Sequence, residues 1–422
     1  MKFNNYYIPF VLIYLFFCAS LFVGFYFNEN SSGGSIYDFN IHLKTVNYFN
    51  DNVYEALINY DKYSNTHSPI FIIFLKYLIS YNINLGIVLY ILICSTVPLI
   101  FYYIFKEKFK SQKLLIAFYL SQFFFFSPYF RSSAIWPGSE NISILFFLIS
   151  IFYYIKFSNS QNKNDEYKYI FLNIIFLAVA SYFRPIYSLF SILFFFELVI
   201  KNFNIKKFLF YLILSFFISF PAIYYVLIMK IDFFSSYMTD YKPINSLVFS
   251  YSVFIFYLFP FIVLSNQKIQ WSNFNFLFSV VFLIISVLFF SYTMNGNGIE
   301  HEISSGGGIF YGINKLLFDN NLFFLIFSTI SFFICNNYLE IKKIKNLLII
   351  VLLIFLEIDN WFYQETYDPL FLICLFFLFD TKIIKDFIQN LSFKKINFLF
   401  LYLIIFWLIK MRLYKYLIQI IT

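Results

Sequence analysis

Asp38 and His42 stand four residues apart, a spacing that puts a carboxylate and an imidazole on one face of a helix. That pairing suits a general base or two metal ligands. His67 follows in Thr66-His67-Ser68-Pro69, where Ser68 and Pro69 read as the cap and first turn of a helix; helix signals alone leave His67 unexplained. Arg131 and Arg184 are permanently charged forks whose geometry matches a phosphate. An arginine close to hydrocarbon usually has a partner, and for Arg184 the candidates are a lipid phosphate or a carboxylate such as Glu140. Trp136 offers a flat face to a sugar. Glu140 opens a helix, where the dipole also favours a carboxylate. Glu300, His301 and Glu302 stand in succession in a glycine-rich stretch suited to a mobile lid or a plain linker, and one histidine between two glutamates is a weak metal pattern. Gln364 and Asp368 lie in a stretch, residues 357–369, that sets four carboxylates among aromatic side chains, as sugar sites and membrane-interface belts both do.

The elements that carry these groups are overwhelmingly apolar. Of 422 residues, 61% are hydrophobic and only 12% charged, too few to clothe a soluble fold of this size. In lipid the backbone must satisfy its own hydrogen bonds, and apolar runs of about twenty residues without alternation make the spans helices. The fold class is all-α: a polytopic transmembrane helical protein of roughly 11–14 membrane helices, forming one integral domain over residues 1–422. A first helix over 7–27 is too long for a signal-peptide core and lacks a small-residue cleavage site. Further spans are expected near 85–105, 114–130, 141–157, 169–184, 185–200, 208–229, 247–265, 274–292, 321–337, 346–360, 367–380 and 396–410.

Charge sorts between the gaps. Lys106, Lys108, Lys110 and Lys113, then Lys201, Lys206 and Lys207, then Lys342, Lys343 and Lys345 fill one set and mark the cytoplasmic side. All three histidines and two of the three arginines fall in the other set, so the reactive groups gather on the outer face. The tail with Lys410, Arg412 and Lys415 conflicts with this topology. The net charge of +8 comes from these short clusters and forms no basic stripe for nucleic acid. Cys18, Cys94, Cys335 and Cys374 sit inside apolar runs, with neither disulfide nor metal spacing.

Residues 28–68 form the longest polar stretch, and residues 28–83 read as a first external loop with interfacial helices. Gly33-Gly34 makes a turn, and Tyr37, Ile41, Val46, Tyr48 and Phe49 then give helical periodicity to an amphipathic helix at the membrane surface. The apolar run 70–79, interrupted by Lys76, is too short to span and reads as interfacial or re-entrant.

A long first external loop with an acidic residue after the first helix resembles the GT-C superfamily of membrane glycosyltransferases. Gly33-Gly34-Ser35-Ile36-Tyr37-Asp38 stands where that family places its catalytic acid, and Thr66-His67-Ser68-Pro69 resembles the return of the loop to the membrane. The resemblance covers the helix layout broadly and about forty residues specifically, and it lacks the adjacent acidic pair common in the family, Tyr37-Asp38-Phe39 standing in its place. What it implies is an inverting transferase that moves a sugar from a polyprenyl-phosphate donor to a lipid-linked or surface glycan. The site would face the periplasm or cell exterior from a bacterial cytoplasmic membrane, with membrane lipids and no nucleic acid as partners. Asp38 would be the base, with His42 beside it. Arg131, Arg184 and His67 would meet the donor phosphate, and Trp136, Glu140, Glu300, His301, Gln364 and Asp368 the acceptor. No cofactor is required, and a divalent metal is compatible with the outer carboxylates. The alternatives are an O-antigen or capsule polymerase and, as a non-enzyme, a flippase or transporter of lipid-linked sugars. Neither charges at the membrane midplane nor repeated halves speak for the last.

Overall fold

A computed structural model describes residues 8–32, 34–63, 65, 67–110, 113–160, 162–200, 203–231, 242–268, 273–291, 307–318, 320–356 and 362–421. Every regular element among them is helical, and six helices are long and apolar enough to cross a membrane: Ile8–Tyr26, Ile83–Phe109, Ser139–Asn159, Asp165–Phe183, Ile205–Ile228 and Pro243–Leu264. The chain is an all-α polytopic helical protein. It divides into two compact units, residues 1–235 with 403–414 and residues 236–402 with 415–422.

The first unit contains α1 (Ile8–Tyr26), α2 (Ser35–Asp51), α3 (Val53–Ile58), α4 (Pro69–Leu78), α5 (Ile83–Ser95), α6 (Val97–Phe109), α7 (Leu114–Ser121), α8 (Pro128–Ile135), α9 (Ser139–Asn159), α10 (Lys163–Phe183), α11 (Phe190–Phe195) and α12 (Ile205–Ile223). The expected cap at Ser68 is present: its hydroxyl accepts the Ile70 N–H at 3.3 Å, with Pro69 in the first turn of α4. The helix expected over the first external loop also forms. Phe39, His42, Val46 and Phe49 are buried, whereas Tyr37 and Tyr48 are exposed. In a chain this rich in aromatics, apolar residues occupy more than one face, and Phe71 of α4 and Trp136 decide which face turns inward by packing against His42 and Phe39.

Helices α9 and α10 form a hairpin, joined midway by polar groups. Asn173 donates to the Ser150 backbone oxygen and hydroxyl at 2.9 and 2.8 Å, and Ser150 donates back to the Asn173 carbonyl at 3.0 Å. Interhelical hydrogen bonds of this kind contribute on average about 0.6 kcal/mol and at most about 1.7. Asn173→Ala is therefore expected to lower stability by about 1 kcal/mol, read as a lower thermal unfolding midpoint in detergent.

The lysine-bearing gaps meet at one end of this unit. Lys156 pairs with Glu107 at 2.8 Å, Lys207 pairs with Glu166, and the Lys207 ammonium stands 5.5 Å from the Phe157 ring centre. Glu140, at the start of α9, lies sixteen residues from Lys156. At 1.5 Å per residue that is about 24 Å, comparable with a hydrocarbon layer of about 30 Å.

In the second unit α13 (Pro243–Leu264) packs against α14 (Asn273–Phe289), α15 (Gly308–Leu317), α16 (Leu322–Tyr338) and α17 (Ile344–Ile354). Then come α18 (Leu370–Phe377), α19 (Lys382–Gln389) and α20 (Phe393–Ile421), the last contributing residues to both units. The span expected near 367–380 is corrected here: α18 has eight residues, all buried, so it is a core helix of about 12 Å and too short to cross a bilayer. The lysine gap at 342–345, expected on the cytoplasmic side, meets two other interhelical turns within this unit. Lys343 pairs with Glu340 and Asp380 at 3.0 Å each, Lys385 pairs with Asp380 at 2.5 Å, and the Asn266 N–H donates to Asp386 at 3.2 Å.

Candidate functional site

The first residues after α1 set the position of the Asp38 helix. Ser31 donates to the Pro128 carbonyl at 2.6 Å, Ser32 donates to the Ser132 hydroxyl at 3.0 Å, and Ser132 lies 3.2 Å from Asn30 Oδ1. Ser32 Oγ also accepts the Ser35 N–H at 3.2 Å, at the first residue of α2. Beneath these contacts Glu29 and Arg131 form a buried ion pair at 2.5 Å. The entry to α2 is thereby tied to α8.

From this anchored start, Asp38 projects from the first turn of α2 with its carboxyl half-buried. Burial, with the neighbouring Glu140 carboxylate adding to it and the Arg184 guanidinium opposing both, raises its pKa to about 7. Glu140 and Arg184 are brought together by helix ends. Pro185 prevents α10 from continuing, so Arg184 sits at its C-terminus, and Glu140 lies in the first turn of α9. Each charge then sits at the helix end whose dipole favours it, and the two pair at 3.2 Å.

One turn beyond Asp38, His42 is buried and its ring meets that of His67 edge-on, the centres 4.4 Å apart. His67 Nδ1 lies 2.9 Å from the hydroxyl of Ser139, at the start of α9. Burial lowers both imidazole pKa values; at His42 the neighbouring His67 adds to this, and at His67 the Glu140 carboxylate opposes it. Both rings are therefore neutral at pH 7. The result is one carboxyl poised near neutrality, an arginine held by a glutamate, and two neutral imidazoles. Such a set can take a proton from a hydroxyl and face an anion, at the end of α9 opposite Lys156 and its Glu107 pair.

Five of the residues singled out in the sequence thus come together: Asp38, His42, His67, Glu140 and Arg184. Arg131 does not join them, and a phosphate-binding role for it is corrected. Its five N–H groups are all engaged within the protein: Nε with Glu29 at 2.8 Å, Nη1 with Ser20 Oγ at 2.9 Å and the Phe125 carbonyl at 3.0 Å, and Nη2 with the Ser20 carbonyl at 3.1 Å and Glu29 at 2.5 Å. The Trp407 ring lies 4.6 Å below the guanidinium, and its N–H donates to Glu29 at 2.9 Å. Trp136 donates its indole N–H to the Glu29 carbonyl at 2.7 Å and tilts its ring toward Phe39, 6.0 Å between centres, so it braces α2. Gln364 and Asp368 belong to the second unit. Gln364 accepts the Ile309 N–H at 3.0 Å and donates to the Tyr257 hydroxyl at 3.4 Å, a packing role; Asp368 is buried directly after a short 3-10 turn. Glu300 and His301 lie outside the described residues. Among the described residues no three His, Cys, Asp or Glu side chains come together as a metal site.

Sequence reasoning missed Glu29, Asn65 and Ser139. The only signal at Glu29 was an acid two residues past the first apolar run; Asn65 and Ser139 are ordinary loop and helix-start residues until His42 and His67 are placed against them. Gly138 has a steric reason to be glycine. A Cβ there would come within 2.4 Å of Glu140 Oε2, displacing the carboxylate that holds Arg184. Gly138→Ala is expected to lower activity by about tenfold, roughly the 1.4 kcal/mol that a disturbed ion pair can account for, with little change in the unfolding midpoint.

The chain matches no family model, no curated protein and no solved structure in the comparisons made with each.

Proposed function

We propose that this chain is a membrane glycosyltransferase that moves a sugar from a polyprenyl-phosphate donor onto a lipid-linked or surface glycan, on the outer side of a bacterial cytoplasmic membrane. The observation that carries this reading is the Asp38 carboxyl, raised to about 7 beside the Glu140–Arg184 pair and two neutral histidines. An acceptor hydroxyl is a poor nucleophile until its proton is taken as it attacks, and a base with a pKa near the working pH does that best. In the step proposed, the acceptor oxygen bonds to the anomeric carbon as the bond from that carbon to the phosphate oxygen breaks. The hydroxyl proton passes to Asp38, and polyprenyl phosphate leaves with the bonding electrons. One displacement inverts the anomeric configuration. Arg184, kept in place by Glu140, faces the charge that grows on the departing phosphate. The separation of this cluster from the lysine-rich end supports an outward-facing site.

The test is complementation of a strain lacking this chain, with its surface glycan displayed on a gel. Wild type should restore the full glycan, and Asp38→Asn at normal abundance should leave it one sugar short. A normal glycan from the Asp38→Asn strain would overturn the reading, and accumulated single repeat units would replace transfer with polymerisation.

A further inference from the structure

The His42 ring has one nitrogen whose hydrogen bond is fixed and one that has no hydrogen-bond partner among the described residues. The His67 backbone N–H donates to Asn65 Oδ1 at 3.0 Å, which identifies that atom as the amide oxygen. Asn65 Nδ2 therefore carries the two amide protons. One is directed to Thr45 Oγ1 at 3.0 Å, whose own proton goes to the Ile41 carbonyl at 2.9 Å, and the other to His42 Nδ1 at 3.3 Å. His42 Nδ1 is thus an acceptor and carries no proton. A neutral imidazole with a bare Nδ1 holds its proton on Nε2. His42 Nε2 is buried and makes no hydrogen bond among the described residues, although buried N–H groups rarely lack an acceptor.

We propose that Asn65 locks His42 as the Nε2–H tautomer and that this N–H is kept for a phosphate oxygen of the donor substrate. Asn65 is then a positioning residue, and His42 a neutral donor rather than a second base, because its lone pair is already engaged. The titratable or charged groups around the ring are His67 in direct contact, Asp38 one turn earlier on α2, and Glu140 and Arg184, which act on His67. A neutral donor suits this setting. It meets a phosphate oxygen without adding charge beside Arg184, and it remains a donor while Asp38 changes its protonation state. The assignment rests on the transferase reading for the identity of the phosphate.

The chain has three histidines, so ring-15N labelling of the full-length protein in lipid nanodiscs gives few enough signals to assign with His42→Gln and His67→Gln. The expected result at pH 7 is a protonated Nε2 and a bare Nδ1 on His42. In Asn65→Asp the carboxylate can only accept, so the proton of neutral His42 should move to Nδ1. Farnesyl phosphate should shift the wild-type His42 Nε2 signal and leave it unshifted in Asn65→Asp. A parallel titration with inorganic phosphate separates the sources: a response to farnesyl phosphate alone assigns the site to a lipid-linked phosphate, and a response to both assigns it to the phosphate itself. A wild-type His42 that is protonated on Nδ1, or that responds to neither phosphate, overturns the proposal. None of these readouts needs turnover, so this inference and the transferase reading fail by different results.

Discussion

Replacing Asp38 by asparagine is expected to lower the rate of sugar transfer by about 10²- to 10⁴-fold, the usual contribution of a positioned general base. In wild type the rate should rise with pH through about 7 and level off above it, because only the carboxylate can accept the proton and burial holds the carboxyl at that value. The rising limb should disappear from whatever activity Asp38→Asn retains. Its neighbours should move it in opposite directions. Glu140→Gln removes a like charge and shifts the limb to lower pH; Arg184→Met removes an opposing one and shifts it higher.

Stability should follow the inverse course. A carboxyl whose pKa is raised on folding contributes fully to stability below its unfolded value of about 4, and that contribution is lost as pH rises through about 7. Asp38→Asn carries no such dependence, so above pH 7 its unfolding midpoint should equal or exceed that of wild type. A variant that is inactive yet at least as stable separates a catalytic role from a folding one. An Asp38→Asn protein that keeps wild-type rates and the same pH limb would sink the assignment.

Part of this site was legible before the fold was known, because it rests on local rules. The four-residue spacing of Asp38 and His42 survives in α2, and an arginine followed by proline at an apolar helix end pointed to a partner such as Glu140, which it has. The fold class was legible for a similar reason, since a long apolar helix is recognisable from its own residues. Contacts across sequence were not. Asn65 acquires meaning only when α2 and the turn before α4 bring it to His42, twenty-three residues away. The periodicity of α2 was legible, but which of its apolar residues pack on protein was not, because burial in lipid and burial in protein both favour aromatics: Val46 and Phe49 are buried, and Tyr37 and Tyr48 are exposed. Arg131 was misread for the same reason as Glu29 was overlooked. Its partner lies 102 residues away, and charge alone does not distinguish a phosphate ligand from half of an internal ion pair.

That distinction yields the second large effect. Arg131→Met should destabilise the protein by about 3–5 kcal/mol, the usual cost of leaving one member of a buried pair uncompensated. Glu29→Leu should do comparable damage, since it strands the guanidinium among Ser20, Phe125 and Trp407. The double variant Glu29→Leu/Arg131→Met should recover much of the loss, because an apolar pair of similar size removes both charges together. Gly24→Ala should disturb the same assembly from outside, with its Cβ within 2.5 Å of Glu29 Oε2 and 2.7 Å of Ile135 Cδ1. A phosphate ligand would behave otherwise. Arg131→Met would then weaken donor binding without unfolding the chain, and Glu29→Leu would not reproduce it. Because this pair underlies the Ser31, Ser32 and Trp136 contacts that position α2, its loss should also displace Asp38. In unfolding and transfer assays on the three variants, stability and rate should therefore fall together in each single variant and recover together in the double, a correlation that a direct role for Arg131 at the phosphate would break.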